Sequence, residues 1–233
     1  MALAGVGVAF DIDHTLCVDN KLERVAFLHL LERIVEDGGV PLGTLIEEGE
    51  RIDKILAHSR SGAQTIEAAV AQFARDRGVD GGEEYVDGFK RMALSMAETF
   101  IVPDPYAREV LGILEREGVK LAVLSNGWNP LQQIKARRAG FKGQVLASGD
   151  LGVQKPSPQA FAAMVAELGV DPGRCFYVGD DPVSDVQGAL GAGLRAIWLD
   201  QEGRNFPDEL PPPTVVVHSL QGVVAAVLAE AGV

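Results

Sequence analysis

A chain of 233 residues is long enough for one large α/β domain, or for a compact core with a second small lobe inserted in it. With 47% hydrophobic and 23% charged residues it can build a sizeable buried core, which argues against a disordered chain. A formal net charge of −12 and a sequence pI near 4.8 weigh against nucleic acid and anionic membrane surfaces as partners, because both are bound through clustered Lys and Arg. A small anion remains compatible where a helix N-terminus, a lysine and a metal outweigh the distant field locally.

Gly5 to Phe10 is a short continuous apolar run that suits a central strand buried on both faces of a parallel sheet, and it ends abruptly in Asp11, Asp13, His14 and Thr15. From about Asn20 to Phe100 the spacing turns helical, as at Val25, Leu28, Leu31 and Ile34. Further helices are expected near Leu42 to Leu56, Thr65 to Arg77 and Glu83 to Thr99, separated by turn-rich stretches such as His58 to Gly62. After Val102-Pro103-Asp104-Pro105 helices and short apolar strands alternate, as in a doubly wound α/β fold. Helices are expected at Tyr106 to Glu117, Leu131 to Ala139, Pro158 to Leu168 and Val183 to Ala192, with strands at Lys120 to Leu124, Val145 to Ala147, Arg174 to Val178 and Arg195 to Leu199. Val215 to His218 and a helix closing near Glu230 complete the chain.

Cys17 and Cys175 lack any zinc or redox spacing and read as two buried thiols of a reducing compartment. The N-terminus has no basic region or cleavage site before its first apolar run, and no run approaches the roughly 20 residues of a spanning helix. A cytoplasmic enzyme is the simplest expectation.

Polar residues follow the ends of three expected buried strands, where ligands bind in open α/β sheets. These are Asp11, Asp13 and Thr15, then Ser125, Asn126 and Gly127, then Gly179, Asp180, Asp181 and Asp185. Carboxylates leaving buried strands are costly without a compensating cation, and several converging acids invite a hard ion such as Mg²⁺. Any single Asp could equally be a helix cap or turn former.

Together, Phe10-Asp-Ile-Asp-His-Thr-Leu16, Ser125-Asn126-Gly127, Lys155-Pro156 and Gly179-Asp-Asp-Pro-Val-Ser-Asp185 resemble, in order and spacing, the four motifs of the haloacid dehalogenase (HAD) superfamily. The resemblance spans nearly the whole chain. It implies a Rossmann-like parallel core formed by residues 1–16 and 101–233, with the first strand between the second and fourth, and a helical cap domain from residues 17–100 of the phosphatase and dehalogenase branch. It further implies a phosphatase in which Asp11 attacks phosphorus and forms an aspartyl-phosphate, while Asp13 serves as general acid and then base. By the same resemblance Mg²⁺ is held by Asp11, the backbone carbonyl of Asp13 and Asp180. Lys155 and Ser125 stabilise the transferring phosphoryl oxygens, with Thr15, Asn126 and Gly127 beside them at the substrate. Asp185 orients Lys155 or metal-bound water, and Asp181 is either another indirect partner or an N-cap. His14 stands where relatives often have Gly and reads as a tolerated turn variant.

The carboxylate at Asp13 favours phosphoryl transfer over dehalogenation, since halide leaves without a proton. A phosphomutase on the same scaffold, a dehalogenase, or a catalytically inactive binding or regulatory module are the rival readings. The expected substrate is a small phosphorylated metabolite, with no nucleic-acid or membrane partner, and either a monomer or a homodimer fits. Selectivity is expected from the cap, with Arg60 in its Gly- and Ser-rich turn as the candidate contact to the leaving group. A hinge is expected at Gly127, Pro103 and the residues from Val18 to Asn20.

Overall fold

The computed structural model describes residues 3–18 and 21–232. The chain forms two compact units, Met1–Asp19 with Val102–Val233, and Asn20–Ile101. The first is a doubly wound α/β unit whose six-stranded sheet is parallel throughout. Its strands are β1 (Gly7–Phe10), β4 (Lys120–Ser125), β5 (Val145–Ala147), β6 (Cys175–Gly179), β7 (Arg195–Leu199) and β8 (Val215–Val217). The order β5-β4-β1-β6-β7-β8 puts β1 between β4 and β6, with Phe10 in register with Val123 on one side and Val178 on the other. The chain winds outward from β1 in both directions, so the switch point lies at the carboxyl ends of β4, β1 and β6.

Every residue of β1 and β6 is buried, which explains their unbroken apolar runs: both faces of a central parallel strand meet protein. On one face, Phe161 and Met164 of α8 (Pro158–Leu168) pack with Ala9, Leu124, Tyr177 and Trp198. Phe161 meets Tyr177 edge to face at 5.1 Å between centroids. Helices α5 (Ala107–Arg116) and α10 (Gly222–Ala231) pack against each other outside that cluster. The short α7 (Ser148–Leu151) and α9 (Gly188–Gly191) and the longer α6 (Leu131–Ala139) complete the helices of this unit.

Three expectations are corrected here. The helix expected from Val183 to Ala192 opens as a wide π-helical turn, Pro182–Gln187, before α9 begins. Cys17–Val18 (β2) pairs antiparallel with Val102–Pro103 (β3), so these residues join the α/β unit rather than the helical block, and Ile101 joins the helices. Both connections therefore start from one ribbon, and Gly127, at the end of β4, borders neither. Asn20, expected at one connection, lies outside the described residues.

The second unit holds α1 (Leu22–Glu36), α2 (Leu45–Arg60), α3 (Ile66–Arg75) and α4 (Glu83–Phe100). Its centre is a Phe27, Phe73 and Phe89 cluster, with centroids 5.2 Å and 4.8 Å apart for the pairs made by Phe27. Helix α2 starts at Leu45 because Thr44 and Glu47 form a reciprocal capping box after the Pro41–Gly43 loop. It runs on through Arg60, which is thus the last helical residue and not part of the expected turn. Among the described residues no helix is long and apolar enough to cross a membrane.

Candidate active site

The site builds from β1 outward. Asp11 follows the last residue of that strand, is 7% exposed, and donates its backbone N–H to Val178 O at 2.9 Å. Its Oδ1 accepts from Lys155 Nζ at 2.7 Å. The same ammonium donates to Asp185 Oδ1 at 2.7 Å and to the Tyr177 hydroxyl at 2.9 Å, and that hydroxyl donates onward to Leu124 O at 2.6 Å. Burial alone would push the Lys155 ammonium down, but the Asp11 and Asp185 carboxylates outweigh it and hold its pKa well above the ordinary lysine value. Asn126 clamps the Lys155 main chain from both sides, its Oδ1 accepting from Lys155 N at 2.8 Å and its Nδ2 donating to Lys155 O at 3.0 Å. The side chain expected at the substrate therefore positions the lysine backbone.

Asp11, Asp180 and Asp185 each offer a carboxylate oxygen, and the three oxygens lie within 4.8 Å of one another. Burial, reinforced by the Asp11 charge, pushes Asp180 up to about 7; burial also pushes Asp185 up to about 8, against the opposing effect of Lys155. Acids driven toward protonation mark a cluster short of positive charge, and an all-oxygen donor set fits a hard divalent cation. Asp180 is braced through its backbone carbonyl, which accepts from Trp198 Nε1 at 2.8 Å and Arg204 Nη2 at 2.9 Å. Asp181 caps the π-helical turn, its Oδ1 accepting from Val183 N at 3.0 Å and Ser184 N at 2.6 Å. Asp185 Oδ2 accepts from Asp181 N at 3.0 Å, and a Cβ at Gly179 would overlap the Asp185 carboxylate, so only glycine fits at the end of β6.

Asp13 faces a second buried lysine. Its Oδ1 and Oδ2 accept from Lys135 Nζ at 2.8 and 3.1 Å, and Oδ2 also accepts from Gln132 Nε2 at 3.3 Å. Gln132 reaches Ser125 Oγ and Asn126 O as well, each at 3.3 Å. Ser125 is 1% exposed, and Thr15 Oγ1 is buried without a hydrogen-bond partner among the described residues. The Gly127 N–H donates to Ser148 Oγ at 2.9 Å. His14 adopts φ 61°, the left-handed region that suits glycine at this turn. Arg60 is half-buried at the end of α2, within the helical unit. Burial pushes the Cys17 thiol up to about 12 and the Cys175 thiol up to about 11, so neither is a thiolate nucleophile.

Lys135, Gln132 and Tyr177 escape the sequence reading. The first two are three residues apart and share a face of α6, a spacing visible in the sequence but equally typical of a solvated helix. Tyr177 sits inside an apolar strand and reads as core.

A family model described as haloacid dehalogenase-like hydrolase matches residues 7–193. A phosphoserine phosphatase of Thermus thermophilus is 34% identical over 178 residues, 72% of this chain and 71% of that one. A glyceraldehyde 3-phosphate phosphatase of Methanopyrus kandleri is 28% identical over 210 residues, 86% of this chain and 89% of that one. The crystal structure of a 2-haloacid dehalogenase from Pseudomonas syringae pv. Tomato superposes with a TM-score of 0.66 at 27% identity, covering 96% of this chain and 97% of that one.

Proposed function

The chain belongs to the haloacid dehalogenase-like hydrolase family, and on that premise we propose that it is a phosphatase that hydrolyses small-molecule phosphate monoesters through an aspartyl-phosphate on Asp11. The observation that carries this reading is the convergence of the Asp11, Asp180 and Asp185 carboxylates with Lys155 at the carboxyl ends of the central strands. The phosphatases that the chain resembles support the same reading.

In this mechanism a carboxylate oxygen of Asp11 attacks phosphorus as the bond from phosphorus to the leaving oxygen breaks. Asp13 gives that oxygen a proton, so an alcohol departs. The resulting Asp13 carboxylate takes a proton from water, whose oxygen attacks the phosphorus and breaks its bond to Asp11, releasing inorganic phosphate and restoring both residues. Lys155 places positive charge beside Asp11, and the Ser125 and Thr15 hydroxyls supply donors to the transferring oxygens. Thr15 Oγ1, buried without a hydrogen-bond partner among the described residues, is suited to a ligand acceptor. The Asp11 and Asp180 carboxylates and the Asp13 backbone carbonyl are the groups that would hold Mg²⁺, which would offset the repulsion between Asp11 and a phosphate dianion.

A dehalogenase reading draws support from the structural neighbour of that activity. The carboxylate at Asp13 favours phosphoryl transfer, because an alkoxide needs the proton that a halide does not. Substrate choice is assigned to the helical unit, with Arg60 as its candidate contact.

A phosphomonoester panel including O-phosphoserine and glyceraldehyde 3-phosphate, run with Mg²⁺ and with chelator, tests the reading. Phosphate release is expected only with the ion, and Asp11→Asn is expected to lower kcat by at least about 10³-fold. Parent-like turnover by that variant, or halide release from a 2-haloacid with no phosphatase activity, overturns it. The same panel on Arg60→Ala is expected to change kcat/KM selectively among substrates.

A further inference from the structure

Among the described residues Lys135 and Lys155 are the buried lysines, 1% and 2% exposed, and both face the acids that follow β1. Lys155 bonds Asp11, and Lys135 bonds Asp13. A lysine this deeply withdrawn from water is retained only with a partner of opposite charge, and removing either partner leaves an uncompensated charge. The Asp13 side chain keeps 15% of its surface exposed while both carboxylate oxygens engage the Lys135 ammonium. Gln132, one helical turn earlier on the same face of α6, fixes Oδ2 and ties it to Ser125. The loop after β1 is fastened to α6 from behind as well, since the Cys17 thiol donates to Lys135 O at 3.6 Å and Cys17 forms a bridge with Asp13.

We propose that Lys135, supported by Gln132, is a positioning residue that holds the Asp13 carboxyl in the orientation from which it reaches the leaving oxygen. The assignment rests on the reading of Asp13 as the general acid. The site then contains two dedicated lysines with different duties. Lys155 serves the attacking group and Lys135 the proton donor. Losing Lys135 leaves phosphate binding and attack by Asp11 in place, and impairs the reaction in proportion to how much the leaving group needs a proton.

That dependence is the test. kcat/KM covers the steps up to departure of the leaving group, and is measured for 4-nitrophenyl phosphate, whose phenolate leaves unassisted, and for the best alkyl phosphate of the panel. Lys135→Met is expected to lower kcat/KM by about 10²-fold on the alkyl ester, the scale of proton transfer catalysis, and by less than about 5-fold on the aryl ester. Lys135→Arg keeps the charge while moving its donors, and is expected to show the same bias at smaller size. Asp13→Asn is run in parallel and is expected to show the bias at full size. If Asp13→Asn shows none, the reading of Asp13 as acid fails. If Asp13→Asn shows it while folded Lys135→Met loses both esters equally or neither, the positioning role alone fails. Should Lys135→Met not fold, as judged by thermal melting, an unbiased Lys135→Arg overturns the role in its place.

Discussion

In the helical unit Glu48 and Arg77 are both withdrawn from water and pair with each other, with the part-exposed Arg51 beside Glu48. Part of the leftover hydrogen-bonding capacity is met locally: Leu42 N–H donates to Glu48 Oε1 at 2.6 Å, Arg77 Nη1 donates to Phe73 O at 2.7 Å, and the guanidinium lies 3.3 Å from the centre of the Phe73 ring, while Arg77 Nε has no hydrogen-bond partner among the described residues. In the α/β unit three acids, Asp11, Asp180 and Asp185, gather near one buried ammonium, with the part-exposed Arg204 guanidinium 3.6 Å from Asp180, and two of the acids are pushed far up from the ordinary aspartate range. The first arrangement is charge-matched and ties the start of α2 to the end of α3. The second carries surplus negative charge that folding alone has no use for. Burial of charge therefore does not single out a candidate site, whereas an unmatched charge at strand ends does.

Removing the cation from each arrangement tests that contrast most strongly. Lys155→Met is expected to lower kcat/KM by about 10³-fold or more, which is ~4 kcal/mol of transition-state stabilisation, with the far-UV circular dichroism retained. Activity within tenfold of the parent would erase the distinction. Arg77→Met is expected to lower the unfolding free energy in urea by about 3 kcal/mol, because Glu48 is left buried and charged. Arg51, 3.9 Å from Glu48, keeps the loss at the lower end of what breaking a buried pair costs. Turnover of 4-nitrophenyl phosphate by the folded Arg77 variant is expected to stay within about threefold; a larger change would make the pair more than a structural tie.

A smaller effect comes from pH. Between about 4, where an unfolded aspartate titrates, and the values of about 7 and 8 for Asp180 and Asp185, the folded chain holds more protons than the unfolded one. Stability of the metal-free protein is thus highest at the acid side of that window and falls as pH rises through it. Lys155, held well above its ordinary value, titrates beyond the window and does not cancel the trend. Urea melts in chelator near pH 5.5 and pH 8 measure the fall, and millimolar Mg²⁺ is expected to shrink it. An unchanged slope with Mg²⁺ would mean the surplus charge is not what binds the ion.

The parallel core and the acids at its strand ends were legible because each rests on a local signal: an apolar run long enough to name a buried strand, then an abrupt carboxylate. The ribbon of Cys17–Val18 with Val102–Pro103 was not, since two residues carry no periodicity. The π-helical turn at Pro182–Gln187 follows from Asp185 folding back over Gly179, a tertiary demand that the spacing of Val183 to Ala192 does not record. Lys135 and Gln132 were hidden for a related reason. Polar residues on a helix read as solvent-facing until the opposite charge they serve, more than 100 residues away in sequence, is placed beside them.

The clamp that Asn126 makes on Lys155 has a bearing on chemical ageing. An asparagine followed by glycine is the pair whose side-chain carbonyl carbon is most readily attacked by the next peptide nitrogen, expelling ammonia and closing a ring that water reopens as aspartate or isoaspartate. Here the amide is held at both ends by the Lys155 backbone, and the Gly127 nitrogen is turned toward Ser148. The fold thereby shields its own weakest amide, and the same Asn126-Gly127 pair is left unguarded in any molecule that unfolds.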